Sequence, residues 1–138
     1  MPEIDYMLHP IGFLQSPLKE LKEAPMQGRE GAPDAWLEVN ESFAEGLDSL
    51  AVGDEVIVIT WLHNAQRDIL KVHPRSDETV PLAGVFATRS PDRPNPLGLH
   101  RVKILEIAGA RLKVGPIEAI DGTSVVDIKP VLSQTADS

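Results

Sequence analysis

Leu97-Gly-Leu-His-Arg-Val-Lys-Ile-Leu-Glu-Ile-Ala-Gly-Ala-Arg-Leu-Lys-Val114 is the stretch that decides the fold. Val102 and Ile104 fall on one face of an alternating run, with Ile107 a weaker third. Period-two alternation is the mark of a half-buried strand. Gly109-Ala110 is a turn signal, and Arg111–Val114 reads as the returning strand. The pattern repeats on both sides. Upstream, Gly53-Asp54 is a turn followed by the β-branched run Val56–Thr60. Downstream, Asp121-Gly122 is a turn followed by Ser124–Pro130. Tyr6–Gln15 reads as a strand broken near Pro10 and Gly12, and Trp36–Val39 as a short strand. "DILKVHP" (68–74) and "VPLAGVFAT" (80–88) continue the series. Short strands with turn signals roughly every 8–12 residues predict an all-β sandwich or barrel. Two helical pieces interrupt them. Glu41–Leu50 places Phe43, Leu47 and Leu50 on one helical face, and Leu18 opens a helical turn that Pro25 stops.

Length and composition set bounds. The 138 residues suit one domain, residues 1–138, with no internal repeat. Hydrophobic residues make up 42% and aromatics only 4%, so the core must be aliphatic and an aromatic base-stacking platform is disfavoured. There is no cysteine, which excludes disulfides, thiolate metal sites and cysteine nucleophiles. The formal net charge of -8 repels nucleic acid at long range, so any RNA contact needs a local basic patch. No apolar run is long enough to span a bilayer and no signal peptide is visible, so a cytoplasmic location without membrane contact is expected.

Three motifs carry possible chemistry. In "FATRSPDRPNPLGLH" (86–100), prolines at 91, 94 and 96 make an extended, stiff segment that presents Arg89 and Arg93. A preorganised guanidinium suits a carboxylate or phosphate. The plainer reading is a rigid connection whose arginines are solvated or paired with Asp92 or Asp121. In "AIDGTSVVDIKP" (119–130), the amides and hydroxyls of Asp121, Gly122, Thr123 and Ser124 can receive a polar ligand, or the turn is an ordinary hairpin. His63-Asn64 ends a strand with two side chains able to read a base edge. The histidines at 9, 63, 73 and 100 match no zinc spacing, so no metal is expected. No Gly-x-Ser-x-Gly, Gly-x-Gly-x-x-Gly or Walker loop occurs. Trp36 and Trp61 read as core.

Together, "GVFATRSPDRPNPLGL" (84–99), "AIDGTSVVDIKP" and the early "HPIGFLQSP" resemble the signatures of the TrmO family, also called TsaA-like or VirR-like. The resemblance implies a small single-domain β-barrel with one or two short helices. It implies a short form, without the additional C-terminal domain of some relatives. It implies a homodimer that binds S-adenosylmethionine and N6-methylates threonylcarbamoyladenosine beside the anticodon of tRNA. Cofactor contacts map by resemblance to Pro25, Met26 and Gln27, to His63 and Asn64, to Arg89, to Leu99, and to Asp121, Gly122, Thr123 and Ser124. Arg93 is assigned to the RNA substrate as a further expectation. His63 and Asp121 are chemically able to act as general base, and the base stays unassigned. Two alternatives remain open: a methyltransferase of the same fold acting on a small molecule, and a non-catalytic protein binding S-adenosylmethionine or a nucleoside. In a dimer, Arg67, Lys71, Arg75, Arg89, Arg93 and Arg101 are expected to gather into a basic mouth.

Overall fold

The described residues form eight strands: β1 (Gly12–Gln15), β2 (Ala35–Val39), β3 (Glu55–Trp61), β4 (Lys71–Val72), β5 (Ala83–Gly84), β6 (Leu97–Ala108), β7 (Arg111–Gly115) and β8 (Ser124–Pro130). The computed structural model describes residues 3–19 and 31–132. Six strands close an antiparallel barrel in the order β1-β2-β7-β6-β3-β8, and β4 and β5 form a separate two-stranded ladder. The barrel therefore leaves no unpaired edge among its six strands.

The 12-residue β6 serves two neighbours in succession. Leu97–Lys103 pairs with β3 and Lys103–Ala108 with β7. A register shift between Ile104 and Glu106 leaves Leu105 as the extra residue. The bulge bends the strand, as closure requires. It also changes the side-chain phase. Ile107 lies opposite the buried Leu112 and so shares its face with Ile104, as the sequence suggests. It stays 40% exposed because it sits at the mouth of the barrel. A second bulge, between Ile59 and Thr60 of β3, bends the β3–β8 pair.

The hydrophobic core is aliphatic. Leu14, Leu37, Val56, Val58, Ile104, Leu112, Val114, Ile117 and Val125 are all buried to about 1% exposure or less. Each such side chain contributes roughly 1.5–3 kcal/mol of burial. Both tryptophans depart from the core reading. Trp36 and Trp61 alternate with buried strand neighbours, so they face out of the barrel. Each lies beneath a guanidinium, Arg111 at 4.5 Å from the Trp36 centroid and Arg67 at 5.1 Å from the Trp61 centroid. A ring too large for a narrow barrel interior finds its partner outside.

The helical segment after β2 is a 3-10 helix, Glu41–Leu47, capped by Asn40 Oδ1 accepting from the Ser42 amide at 3.0 Å. Three residues per turn align Ala44, Leu47 and Leu50, and these are the half-buried set. Phe43 is left exposed. Two further 3-10 turns, Pro74–Ser76 and Val85–Ala87, flank the β4–β5 ladder.

Candidate functional site

One end of the barrel collects the motifs. Trp61, the last residue of β3, lies opposite both Leu97, the first of β6, and Ser124, the first of β8. His63-Asn64, the proline-rich segment and the Asp121 turn therefore leave from adjacent strand ends. β1 exits at this end as well, since Phe13 pairs with Ser124. The segment 20–30, with Pro25, Met26 and Gln27, lies outside the described residues.

The proline-rich segment is tied to the chain that follows β3. The Leu62 amide donates to the Pro96 carbonyl at 2.9 Å and the Arg93 amide to the Gln66 carbonyl at 3.1 Å. The Gln66 amide donates to Asp92 Oδ1 at 2.9 Å, and Arg67 Nε to the Pro94 carbonyl at 2.7 Å. Within the segment, Ser90 and Asp92 amides donate to the hydroxyls of Thr88 and Ser90. Three prolines take away three amide donors and leave their carbonyls. The loop thus carries surplus acceptors, and side chains supply the missing donors.

This separates the two arginines. Arg93 is half-buried and points into the loop. Its NH1 donates to the carbonyls of Ser90 (2.8 Å) and Thr88 (3.2 Å), and NH2 to that of Val85 (3.1 Å). These bonds tie it to its own loop, which differs from the substrate contact expected of it. Arg89 is exposed and makes no hydrogen bond or ion pair with a described residue. Neither arginine pairs with Asp92 or Asp121. A stiff loop carrying a guanidinium with no partner among the described residues is organised to meet an anion.

The Asp121 turn is also built differently from its expectation. Its amides are not free. Asp121 donates to the Leu18 carbonyl (2.6 Å), Gly122 to that of Leu14 (2.8 Å) and Thr123 to that of Ile120 (3.2 Å). Thr123 is buried, and its hydroxyl also donates to Ile120, at 2.7 Å. Gly122 takes φ +83, where a side chain is disfavoured. The turn closes the barrel by gripping the chain leaving β1, and this occupies the amide donors. Ser124 remains half-buried at the start of β8.

Asp121 accepts from the Ser16 amide at 2.9 Å and pairs with Lys19 Nζ at 3.1 Å. The Ser16 amide first, and Lys19 second, hold its carboxyl below the ordinary carboxylate range. A depressed folded pKa gives stability that is present above the unfolded value of about 3.9 and lost as pH falls through the folded one. In urea denaturation, Asp121→Asn is expected to be less stable than the native chain near neutral pH. The gap should narrow as pH falls below the ordinary carboxylate range and the folded carboxyl takes up its proton. A gap that persists unchanged into acid contradicts this.

His63 and Asn64 form an exposed turn at the rim. Leu99 is not at the rim. It stands on the outer wall of β6, half exposed, opposite Ile59. Phe13, Trp61 and Leu97 share that outward, apolar side of the barrel end. Phe13, Gln15, Ser16, Lys19, Asp121 and Gly122 line a concavity of about 440 Å³ beside the turn. Arg101 is paired with Glu55 at 2.9 Å and Arg67 is stacked on Trp61, so these charges are already partnered. Among the described residues, no three His, Asp or Glu side chains converge as metal ligands. Among the described residues, no helix is long and apolar enough to cross a membrane.

A closed barrel with its polar loops gathered at a single rim, Arg89 among them without a partner in the described residues, defines a ligand-binding β-barrel, its site built from loops on a rigid frame. The chain belongs to the tRNA-methyltransferase O N-terminal domain family, whose family model matches residues 13–138. A "Probable S-adenosyl-L-methionine-binding protein" of Methanothermobacter thermautotrophicus is 38% identical over 130 residues, covering 94% of this chain and 93% of the relative. A protein of the same description from Archaeoglobus fulgidus is 45% identical over 131 residues, which is 95% of this chain but 35% of that longer protein. The crystal structure of TrmO from Pseudomonas aeruginosa superposes with a TM-score of 0.75 at 28% identity, covering 98% of this chain and 61% of the TrmO chain. The chain thus spans about a third of one relative and under two thirds of that TrmO.

Proposed function

We propose that this chain binds S-adenosylmethionine at the rim and transfers its methyl group to N6 of threonylcarbamoyladenosine in tRNA. The observation that carries the reading is Arg89: an exposed guanidinium, free of described partners, on a hydrogen-bonded proline loop. Family membership and the relatives' names point to the same ligand. When bound, S-adenosylmethionine supplies an electrophilic methyl on a sulfonium. The chain's own task is to orient donor and acceptor.

The residues present fit part of that ligand. Arg89 suits its carboxylate, and the exposed edges of His63 and Asn64 suit an adenine or ribose. The amides of Asp121, Gly122 and Thr123 are taken within the fold, and the role of the turn is to fix the rim. Asp121 is also a poor general base, because a carboxylate held acidic accepts a proton less readily. That leaves His63 as the remaining candidate of the two.

A homodimer is part of the proposal. The outward set Phe13, Ile59, Trp61, Leu97 and Leu99 supports it, since an apolar barrel wall favours a partner surface. Leu99→Glu is expected to give a folded monomer by sedimentation. A native chain that sediments as a monomer speaks against the dimer.

The acidic balance favours a second reading, in which the chain binds S-adenosylmethionine without acting on tRNA. Incubation with methyl-labelled S-adenosylmethionine and tRNA bearing threonylcarbamoyladenosine separates the two. Label recovered in the N6-methylated nucleoside supports the first. Binding with no label transferred leaves the second.

A further inference from the structure

A buried hydrogen-bonded chain joins three of the segments that end at the rim. Thr60 is fully buried near the end of β3, His100 is buried on β6, and Glu118 lies between β7 and β8. His100 Nδ1 is 2.6 Å from Glu118 Oε1, and His100 Nε2 is 2.7 Å from Thr60 Oγ1. An ionised carboxylate only accepts, so Nδ1 carries the shared proton. The packing is made for this pair. A Cβ added at Gly98 meets Thr60 Oγ1 at 2.5 Å and His100 Nε2 at 2.8 Å, so the room beside the bond exists because residue 98 has no side chain.

The order resembles a nucleophile, base and orienting acid. Thr60 has 0% exposure, so its hydroxyl is closed to any substrate. What the chain does is hold position. Glu118 stands three residues before Asp121, Thr60 three before His63, and His100 directly after Leu99. Glu118 is the member on the connection that leads into the turn, and a charge-assisted bond is the stronger kind.

We propose that His100 is a positioning residue: through Nδ1 it grips Glu118 and fixes the β7–β8 connection, and with it the Asp121–Ser124 turn, against the β3–β6 end of the barrel. The effect on S-adenosylmethionine rests on the function proposed above. The ordering of the turn does not.

Two substitutions separate the arms of the imidazole. In His100→Asn the side-chain amide stands near Nδ1 and still donates to Glu118. In His100→Gln it reaches toward Thr60 and loses Glu118. Hydrogen exchange of the unliganded protein reads the turn through the Asp121 and Gly122 amides, which donate to Leu18 and Leu14. His100→Gln should speed their exchange by about tenfold or more, with the β6–β7 hairpin unchanged, and His100→Asn should leave them within about twofold. The dissociation constant for S-adenosylmethionine should rise in the same order. Equal acceleration in both variants, or acceleration spread evenly over the barrel, overturns the proposal. If the imidazole variants do not fold, Glu118→Gln keeps an acceptor for Nδ1 and Glu118→Ala removes it. The same contrast at the turn is then required, and its absence overturns the proposal. A native chain that binds no S-adenosylmethionine while the turn responds as stated counts against the proposed ligand and not against the relay.

Discussion

Arg89→Ala lowers the affinity for S-adenosylmethionine by roughly 10- to 100-fold and leaves the unfolding midpoint unchanged. The magnitude is that of losing hydrogen bonds to a charged group, about 1.5–3 kcal/mol. The unchanged midpoint follows from the structure. Arg89 is exposed and bonds to no described residue, so its removal costs the fold nothing that the described chain supplies. Calorimetric titration of both proteins checks the first half and urea denaturation the second. Arg89→Lys keeps the charge without the planar fork and should recover only part of the loss. Binding that survives Arg89→Ala intact removes the observation on which the proposed function stands.

Arg93→Ala has the opposite signature. It removes three charged donors from the carbonyls of Val85, Thr88 and Ser90 and is expected to cost about 3 kcal/mol of stability. The loop that presents Arg89 loosens with it, so ligand affinity falls as well. Lysine cannot span three carbonyls with one ammonium, so Arg93→Lys should restore less than half the stability. Urea denaturation of the three proteins measures this. A variant as stable as the native chain, with impaired use of tRNA alone, would return Arg93 to the substrate.

The contrast shows where the sequence stops. Two arginines four residues apart in a proline-rich stretch look equivalent, and the spacing offers both to ligands. Their difference arises because prolines leave a loop short of donors, and one guanidinium turns inward to satisfy it. The Asp121 turn makes the same point. Asp-Gly predicts the turn, and Gly122 at φ +83 bears this out. It does not tell that the amides are taken by Leu14 and Leu18, more than a hundred residues earlier. Thr60 and Glu118 gave no signal, and His100 entered only as the end of the proline-rich stretch and as one of four histidines without zinc spacing; separations of 40 and 18 residues do not join the three. The segment 20–30 keeps Pro25, Met26 and Gln27 outside this comparison.

By itself the sequence determined the local terms: the alternating strands, the Gly-Asp, Gly-Ala and Asp-Gly turns, an aliphatic core and a stiff arginine loop. These follow from period, side-chain shape and backbone freedom, which are properties of neighbouring residues. Strand period left sandwich and barrel open and the family resemblance pointed to the barrel, which the structure bears out; the tertiary structure alone decided that bulges at Leu105 and beside Ile59 bend the strands to close it, and which polar groups are left over. The reason is that every buried donor and acceptor must find a partner across the fold. Only when that pairing is complete does Arg89 emerge as a guanidinium with nothing to bind among the described residues.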